Sequence, residues 1–248
     1  MKILSLNCWG GKLHDELLEF VSNNAASVDV FCFQEVWRDT GETEMVPPFH
    51  DQAARGLFDE LRGILADFDG YFAQSYGDDY GLATFVSRKF DVVSAESRFV
   101  YKDGPRVELQ PGLEGDHARN VQIVTLSGGF RIANFHGVWK KGRGKEDTPE
   151  RLEQSMILSA LLSGDAPAVL IGDFNLWPET ESVKMLERSG FRNLIREYGV
   201  TSTRTELFPK EFVPFADYAF TKNVEIADFK VLPDVVSDHN PLLVEISD

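Results

Sequence analysis

The chain has 248 residues, of which 43% are hydrophobic and 26% are charged, and these fractions exclude a mainly disordered chain. The formal net charge of −15 disfavours broad electrostatic binding along duplex DNA, because a strongly acidic surface repels a polyanion. Two cysteines, Cys8 and Cys32, are too few for a disulfide framework, and both lie in apolar runs.

Targeting and membrane-anchoring patterns are not recognisable in the sequence. The first residues, MKILSLNCWGG, lack the long apolar stretch and the small-residue cleavage site of a signal peptide. No apolar run approaches about 20 residues, so we expect no stable membrane insertion. Without a linker-like or repeated segment, we expect one domain over residues 1–248, which acts as a monomer in the cytoplasm.

Runs typical of β-strands recur along the whole chain. In chain order they are Lys2–Leu6, Val30–Gln34, Tyr71–Ser75, Leu82–Ser87, Asp91–Ala95, Val121–Leu126, Phe130–Phe135, Ala168–Ile171, Tyr218–Thr221, Ala227–Leu232 and Leu242–Ile246. Helical patterns occur near residues 12–24, 50–67, 149–163 and 179–189. Many strands with few, scattered helices predict an α/β (α+β) protein with mixed layers and not a regular βαβ repeat.

The third helical pattern has a recognisable beginning. It opens with Asp147-Thr148-Pro149-Glu150, in which a threonine precedes a proline. Proline is favoured at the first helical position, and threonine is favoured just before it as the cap. The sequence therefore predicts that this helix begins at Pro149.

Polar residues of the kinds used in catalysis stand at the ends of the strand-like runs. Four runs end in Asn7, Glu35, His136 and Asp173, whereas two further runs, Tyr218–Thr221 and Leu242–Ile246, are preceded by Asp217 and by Asp238-His239. If these two strands run antiparallel to the first four, all of these positions lie at one rim of a mixed sheet. The spacing of Asp173 and Asn175 places both side chains on one face of an extended chain.

The collected residues contain four carboxylates, two amides and two imidazoles. They are Asn7, Glu35, His136, Asp173, Asn175, Asp217, Asp238 and His239. Hard oxygen ligands suit Mg²⁺ or Mn²⁺, whereas a zinc site more often has clustered histidine or cysteine. The chemistry that fits this set is metal-assisted hydrolysis of a phosphate ester by an activated water.

Six motifs then give the sequence a family resemblance. They are LSLNCWG, FCFQEV, ANFHGVW, IGDFN, ADYAF and SDHNPL, which span residues 4–242. In this order they resemble the endonuclease/exonuclease/phosphatase superfamily of DNase I-like phosphohydrolases. The resemblance implies a four-layer sandwich of two packed mixed β-sheets flanked by helices, with the site at one end of the sheets.

The resemblance also implies a metal site. Glu35 would be the main ligand of the ion, Asn7 would lie beside it, and Asp238 would complete the metal or water network. Some nucleases of the family have an aspartate two residues after the first asparagine, and Trp9 occupies that position here. The likeness to abasic-site nucleases is weaker for that reason.

Catalytic roles are implied in the same way. Asp173 would orient or deprotonate the attacking water, Asn175 would position the phosphate, and His136 would contact a phosphate oxygen or assist the leaving group. His239 would bind the scissile phosphate while Asp217 holds its ring, and that carboxylate should raise the pKa of the imidazole. Whether Asp173 or His239 is the base, and whether one metal ion or two act, stays open.

Substrate-binding candidates lie near these motifs. Residues 140–145 contain four cations, among them Lys140 and Lys141, and form either a mobile basic lip or a solvated loop. Arg204 has a guanidinium suited to two phosphate oxygens. Trp177 follows IGDFN and can offer a ring for stacking a base or sugar, or it can belong to the core. Arg119 opens a strand and is a weaker candidate.

Three functions remain in competition at this point. The first is a divalent-metal-dependent phosphodiesterase, a nuclease for nucleic-acid ends or short single strands. The second is a hydrolase of small-molecule or lipid-headgroup phosphates, similar to a sphingomyelinase or an inositol phosphatase. The third is an inactive binding module, which the presence of every expected site residue disfavours. Turnover of bis-p-nitrophenyl phosphate and p-nitrophenyl phosphate distinguishes the three.

Overall fold

A computed structural model describes residues 1–39, 53–104, 116–140, 142, 144–209 and 214–247. Its strands are β1 (Lys2–Asn7), β2 (Val30–Trp37), β3 (Phe68–Tyr76), β4 (Tyr80–Ser87), β5 (Val92–Tyr101), β6 (Arg119–Leu126), β7 (Arg131–His136), β8 (Ala168–Asp173), β9 (Arg192–Asn193), β10 (Asp217–Lys222), β11 (Ile226–Val231) and β12 (Leu242–Ile246). The helices of the described ranges are α1 (His14–Asn24), α2 (Leu57–Ile64), α3 (Pro149–Leu161), α4 (Glu181–Arg188) and α5 (Leu194–Glu197). None of these helices is long and apolar enough to cross a bilayer.

The strands form two six-stranded sheets. The first sheet has the order β11-β12-β1-β2-β4-β3, and the second has the order β5-β6-β7-β8-β10-β9. Each sheet contains one parallel pair, β1 with β2 and β7 with β8, among antiparallel neighbours. With helices on the outside, this is the predicted four-layer sandwich of the α/β class, and the fold prediction is confirmed.

Burial on both faces explains why the central strands are apolar throughout. In β2, Phe31 and Phe33 pack outward with the residues of α1 and α2, whereas Val30 and Cys32 pack inward among residues of the second sheet. Successive side chains of a strand point to opposite faces, so both faces of such a strand need apolar residues. Burying each of the large side chains contributes roughly 1.5–3 kcal/mol to folding.

The strand directions bring the predicted polar residues to one rim. β12 runs antiparallel to β1, and β10 runs antiparallel to β8. In the second sheet Asp173 is the register partner of both His136 and Asp217. Both strands that a polar residue precedes, β10 and β12, thus run antiparallel to a neighbour that ends in one, which is the condition for a shared rim.

Most differences from the predicted elements concern short pieces. β9 has two residues and α5 has four, too few for a periodic pattern to reveal. The helix expected near 50–67 begins at Leu57, and residues 50–52 of that prediction lie outside the described ranges. The start of α3 is confirmed, because the Thr148 side chain accepts a hydrogen bond from the backbone N–H of Arg151 at 3.3 Å.

Gly172, just before Asp173, provides a test of the close approach of β7 and β8. Its φ is 141°, and a Cβ on it would overlap the carbonyl oxygen of Phe135. We predict that Gly172→Ala lowers the free energy of unfolding by about 3 kcal/mol, because backbone strain and overlap act together. Urea unfolding curves measure this loss.

Gly128 supplies the matched control. Its φ is 90°, but nothing lies within 4 Å of where a Cβ would be. Gly128→Ala should therefore cost only the strain of a left-handed residue, about 1 kcal/mol. Equal losses for the two variants would contradict the crowding at Gly172.

Candidate active site

Glu35 reaches the rim through a bulge in β2. The register between β2 and β4 shifts between Phe33 and Val36, and Glu35 has a φ of 58°. A residue with a Cβ in this conformation costs roughly 1–2 kcal/mol, so neighbouring contacts must hold it. The bulge leaves the Glu35 side chain 19% exposed in a strand that is otherwise buried.

A side chain from the other sheet stabilises the start of that bulge. Asn134 of β7 donates through Nδ2 to the carbonyl oxygens of Phe33 at 3.0 Å and of Ala83 at 3.1 Å. Its Oδ1 accepts from Nε2 of Gln34 at 2.7 Å. Phe33 and Ala83 are the last register pair before the shift, so Asn134 satisfies backbone groups where the ladder is interrupted.

Asn7 joins a carboxylate from each sheet. Its Nδ2 lies 3.2 Å from Oε1 of Glu35 and 3.0 Å from Oδ2 of Asp173. Its Oδ1 accepts from the backbone N–H of Trp9 at 2.9 Å, which fixes the orientation of the amide. In this arrangement one amide nitrogen bridges the two carboxylates, and the place of Asn7 beside a metal ion stays a prediction.

Asp217 and His239 form the oriented pair that the resemblance implied. Nδ1 of His239 lies 2.8 and 2.9 Å from the two carboxylate oxygens of Asp217. The hydroxyl of Thr203 accepts from the backbone N–H groups of Ala216 and Asp217 and so anchors the start of β10. Nε2 of His239 faces Asp173 at 3.8 Å and Asp238 at 3.7 Å.

Burial governs the protonation of these groups. Desolvation raises the pKa of Glu35 to about 7 against the opposing hydrogen bond from Asn7, and repulsion by Asp238 adds to the rise. Burial also raises the pKa of Asp217 to about 7. The pKa of His239 is lowered to about 3, first by burial and then by Arg204, so the increase expected from a neighbouring carboxylate is outweighed.

His136 and Asn175 complete the group of predicted catalytic residues. Nε2 of His136 lies 3.6 Å from Oδ2 of Asp173 and 3.9 Å from Oε1 of Glu35. Asn175, with a φ of 54°, donates its backbone N–H to Oδ1 of Asp173 at 2.9 Å. Its side-chain amide makes no hydrogen bond within the described part of the chain, so it is available to a ligand.

Two further residues lie beside this group. Arg119 is 3% exposed, and its Nη1 lies 3.2 Å from Nε2 of His136. Tyr80, whose pKa is raised by burial and then by Glu35, shares a hydrogen bond with Arg119. Tyr80 is the first residue of β4 and belongs to none of the six motifs, so the sequence offered no signal for it, whereas Arg119 was a weaker candidate.

The predicted substrate-binding residues have different surroundings. Arg204 lies at the rim: its Nη1 is 2.7 Å from Oδ2 of Asp238, and its backbone bridges to His239. Lys140 instead pairs with Glu150 at 2.6 Å and lowers the pKa of that carboxyl to about 2, so its charge is already engaged. Trp177 is 37% exposed.

Part of the predicted basic lip cannot be placed. Lys141 lies outside the described residues, and so does Arg143. Lys145, which the sequence grouped with them, reaches toward the start of β10 and donates from Nζ to the carbonyl oxygen of Phe215 at 2.6 Å. The sequence did not predict this position, because a run of like charges does not indicate which of its side chains turns inward.

The donor set fits a divalent cation. Ligand atoms of Asp173, Asp217 and His239 lie within 4.8 Å of one another, and all three residues are buried. Glu35 adds a carboxylate that shares the Asn7 amide with Asp173. Crowded carboxylate oxygens with one imidazole suit a hard ion such as Mg²⁺ or Mn²⁺, because the ion relieves their mutual repulsion. This three-residue cluster contains none of the predicted ligands Glu35, Asn7 and Asp238, whose assignment stays a prediction.

Comparison with known proteins decides the family. Residues 4–239 match the Endonuclease/Exonuclease/phosphatase family. The chain belongs to this family. The match includes five of the six motifs completely and ends inside the sixth, so the resemblance drawn from them is confirmed, and members of the family are phosphoesterases.

Curated relatives of the chain match it only in part. A UPF0294 protein of Yersinia enterocolitica is 38% identical over 144 residues, which are 57% of this chain and 52% of that protein. A UPF0294 protein of Vibrio vulnificus is 32% identical over 119 residues, 47% of this chain and 39% of that protein. The matched segment thus spans about half or less of these relatives.

Solved structures share the fold over the whole chain. A mannosyl-6-phosphatase of Bacteroides thetaiotaomicron has a TM-score of 0.74 and 18% identity, with 100% of both chains covered. The TDP2 protein of D. rerio, complexed with a single-strand DNA product, has a TM-score of 0.67 and 15% identity, with 100% of this chain and 99% of that chain covered. These similarities establish the architecture of the family.

The Asn134 contacts generate a prediction about stability. Asn134→Leu keeps the approximate size of the side chain but leaves two buried carbonyl groups without their donor. We expect the free energy of unfolding to fall by about 2–5 kcal/mol, measured by urea unfolding. Asn24→Leu is the control, because Asn24 donates a single bond to the Phe20 carbonyl at the end of α1. A loss at position 134 no larger than at position 24 would contradict the bracing role.

Proposed function

We propose that this protein is a divalent-metal-dependent phosphodiesterase that hydrolyses nucleic-acid ends or short single strands. The observation that carries the proposal is the convergence of Asp173, Asp217 and His239 within 4.8 Å, beside Glu35. That combination supplies an imidazole for proton transfer and carboxylates for a cation in one buried place.

His239 is the proposed proton acceptor. Asp217 accepts the hydrogen bond from Nδ1, which leaves the lone pair of Nε2 facing the site. Nε2 of His239 faces Asp173 at 3.8 Å and Asp238 at 3.7 Å, so a water held between these groups can pass its proton to this nitrogen. Both oxygens of Asp173 already accept hydrogen bonds, from Asn7 and from Asn175, which suits a positioning role for this carboxylate.

The remaining residues bind the phosphate and the ion. Glu35 and Asp173 would hold the divalent cation, which when bound neutralises negative charge on the phosphate. The side-chain amide of Asn175 has no described partner and can donate to a phosphate oxygen. His136 lies between Glu35 and Asp173 at 3.9 and 3.6 Å and can donate to another oxygen.

Two considerations support a short polynucleotide substrate. The net charge of −15 limits the length of strand that the surface can attract, because each bound phosphate needs a local cation. Trp177, 37% exposed and close in sequence to Asp173, offers a ring on which a base can stack. The acidic surface also suits a small phosphorylated metabolite, which is the second candidate, and preferential hydrolysis of p-nitrophenyl phosphate over its diester would favour it.

Removal of the acid–base groups tests the proposal directly. Asp173→Asn and His239→Ala should each reduce kcat for bis-p-nitrophenyl phosphate by about 10²–10⁴-fold while the fold persists. Asp165→Asn makes the same chemical change on the exposed loop before β8, and His14→Ala removes a histidine from α1. Wild-type turnover by both site variants would exclude this mechanism.

The metal requirement is tested at Glu35. Glu35→Gln removes a charge but keeps the shape, so the Mg²⁺ or Mn²⁺ concentration for half-maximal rate should rise about tenfold or more. Glu245→Gln serves as the control, because Glu245 lies in β12 and pairs with Lys2. If the metal titration of Glu35→Gln matches that of the control, Glu35 is not a ligand.

A further inference from the structure

Lys145 is a cation near the site to which the proposed mechanism gives no role. Its Nζ donates to the carbonyl oxygen of Phe215, two residues before Asp217. Among the described residues, no carboxylate oxygen lies within salt-bridge distance of this ammonium group. Burial, followed by repulsion from Arg204, lowers the pKa of Lys145 to about 8. Lys145 is thus half-buried and, within the described ranges, is attracted by Asp173, Asp217 and Asp238 without forming a direct ion pair.

The backbone around Lys145 is held firmly. Arg151 of α3, which is 1% exposed, donates through Nη1 to the carbonyl oxygens of Gly144 at 2.7 Å and Glu146 at 2.6 Å. The backbone N–H of Trp177 donates to the carbonyl oxygen of Lys145 itself at 2.9 Å. Three consecutive carbonyl groups therefore have hydrogen-bond partners, which orient the backbone at Lys145.

Arg204 and Phe208 lie on the other side of the same space. The guanidinium carbon of Arg204 is 4.3 Å from the ring centroid of Phe208, and Nζ of Lys145 is 5.6 Å from that centroid. Only Nη1 of Arg204 reaches Asp238, while its Nε is buried and finds no hydrogen-bond partner in the described ranges. The Arg204 side chain is 7% exposed, so this donor is desolvated as well as unused.

Two cations at one aromatic ring repel each other unless an anion lies near both. Burial weakens the screening of that repulsion by water, and a phosphate group can accept hydrogen bonds from an ammonium and a guanidinium together. The fixed backbone around Lys145 reduces the entropy that such binding would cost. Asp238, the partner of Arg204, also attracts Lys145, as do Asp173 and Asp217, so these acids offset part of the repulsion and the space adjoins the catalytic group.

We propose that Lys145 and Arg204, on either side of Phe208, form a subsite for a second phosphate group of the substrate. This inference rests on the proposed function and narrows it to phosphate esters that carry another phosphate close to the one hydrolysed. The second group is either the next phosphodiester of a strand or a terminal phosphomonoester of a small molecule.

Matched chromogenic substrates test the subsite. Thymidine 5′-(p-nitrophenyl phosphate) and its 3′-phosphorylated counterpart differ only in the second phosphate. The wild-type protein should show about tenfold or higher kcat/KM for the 3′-phosphorylated compound, as expected for one additional charge-assisted contact. A ratio near one for the wild-type protein would overturn the proposal.

Variants assign the preference to Lys145. In Lys145→Met the ratio should fall to about twofold or less, whereas Lys145→Arg, which keeps the charge, should retain most of it. Lys222→Met is the control, because Lys222 likewise donates to a backbone carbonyl, that of Ser189, and lies over a phenylalanine ring. A ratio in Lys145→Met equal to that of Lys222→Met would also overturn the proposal.

Two additional measurements separate the possible outcomes. In a third substrate the 3′-phosphate is esterified to a second thymidine. Its kcat/KM should equal that of the 3′-phosphorylated compound if the subsite holds a strand, and should be much lower if the subsite holds a terminal phosphate.

If no p-nitrophenyl ester is turned over, the proposed function fails. Calorimetric binding of adenosine 3′,5′-bisphosphate and adenosine 5′-monophosphate then tests the subsite alone, and equal affinities would refute it.

Discussion

The position of the site depends on one side chain that crosses between the sheets. Asn134 of β7 bonds to carbonyl oxygens of β2 and β4 at the point where their ladder is interrupted. Both of its polar ends are occupied, so the sheets must face each other in one relative position. That position supports the bulge at Glu35 and brings Asp173 within reach of the same Asn7 amide. The buried hydrogen bonds of Asn134 therefore link the relative position of the two sheets to the positions of the carboxylates at the rim.

Sequence reasoning located most of the rim because the strands end where the chemistry begins. Asp173 follows one strand-like run and Asp217 precedes another, and the antiparallel pairing of β8 with β10 makes them register partners. Short apolar runs between polar residues carry that information locally, and parallel or antiparallel pairing converts it into proximity. The conformation of Glu35 could not be inferred in this way. A residue with positive φ in a bulge is usually a glycine, which the sequence would show, but here the residue is a glutamate.

Other features were beyond the sequence for a different reason. Lys145 belongs to a charged segment in which any residue could have turned inward, and the buried Arg151 that fixes it lies on a helix with an ordinary pattern. The contacts of Asn7 were likewise not predicted, since its amide nitrogen bonds to one carboxylate from each sheet. Such roles depend on which tertiary partners are present, and the order of residues along one element does not specify them.

The pairing of β1 with β12 has a consequence for biosynthesis. These strands are adjacent in the first sheet, and the Ser237 hydroxyl donates to the carbonyl oxygen of Asn7 at 2.7 Å. Contacts between residues so distant in sequence form late, because the whole intervening chain must be ordered first. A growing polypeptide on the ribosome cannot assemble the site until His239 has emerged. Translation thus delays completion of the site until nearly all of the two sheets have been made.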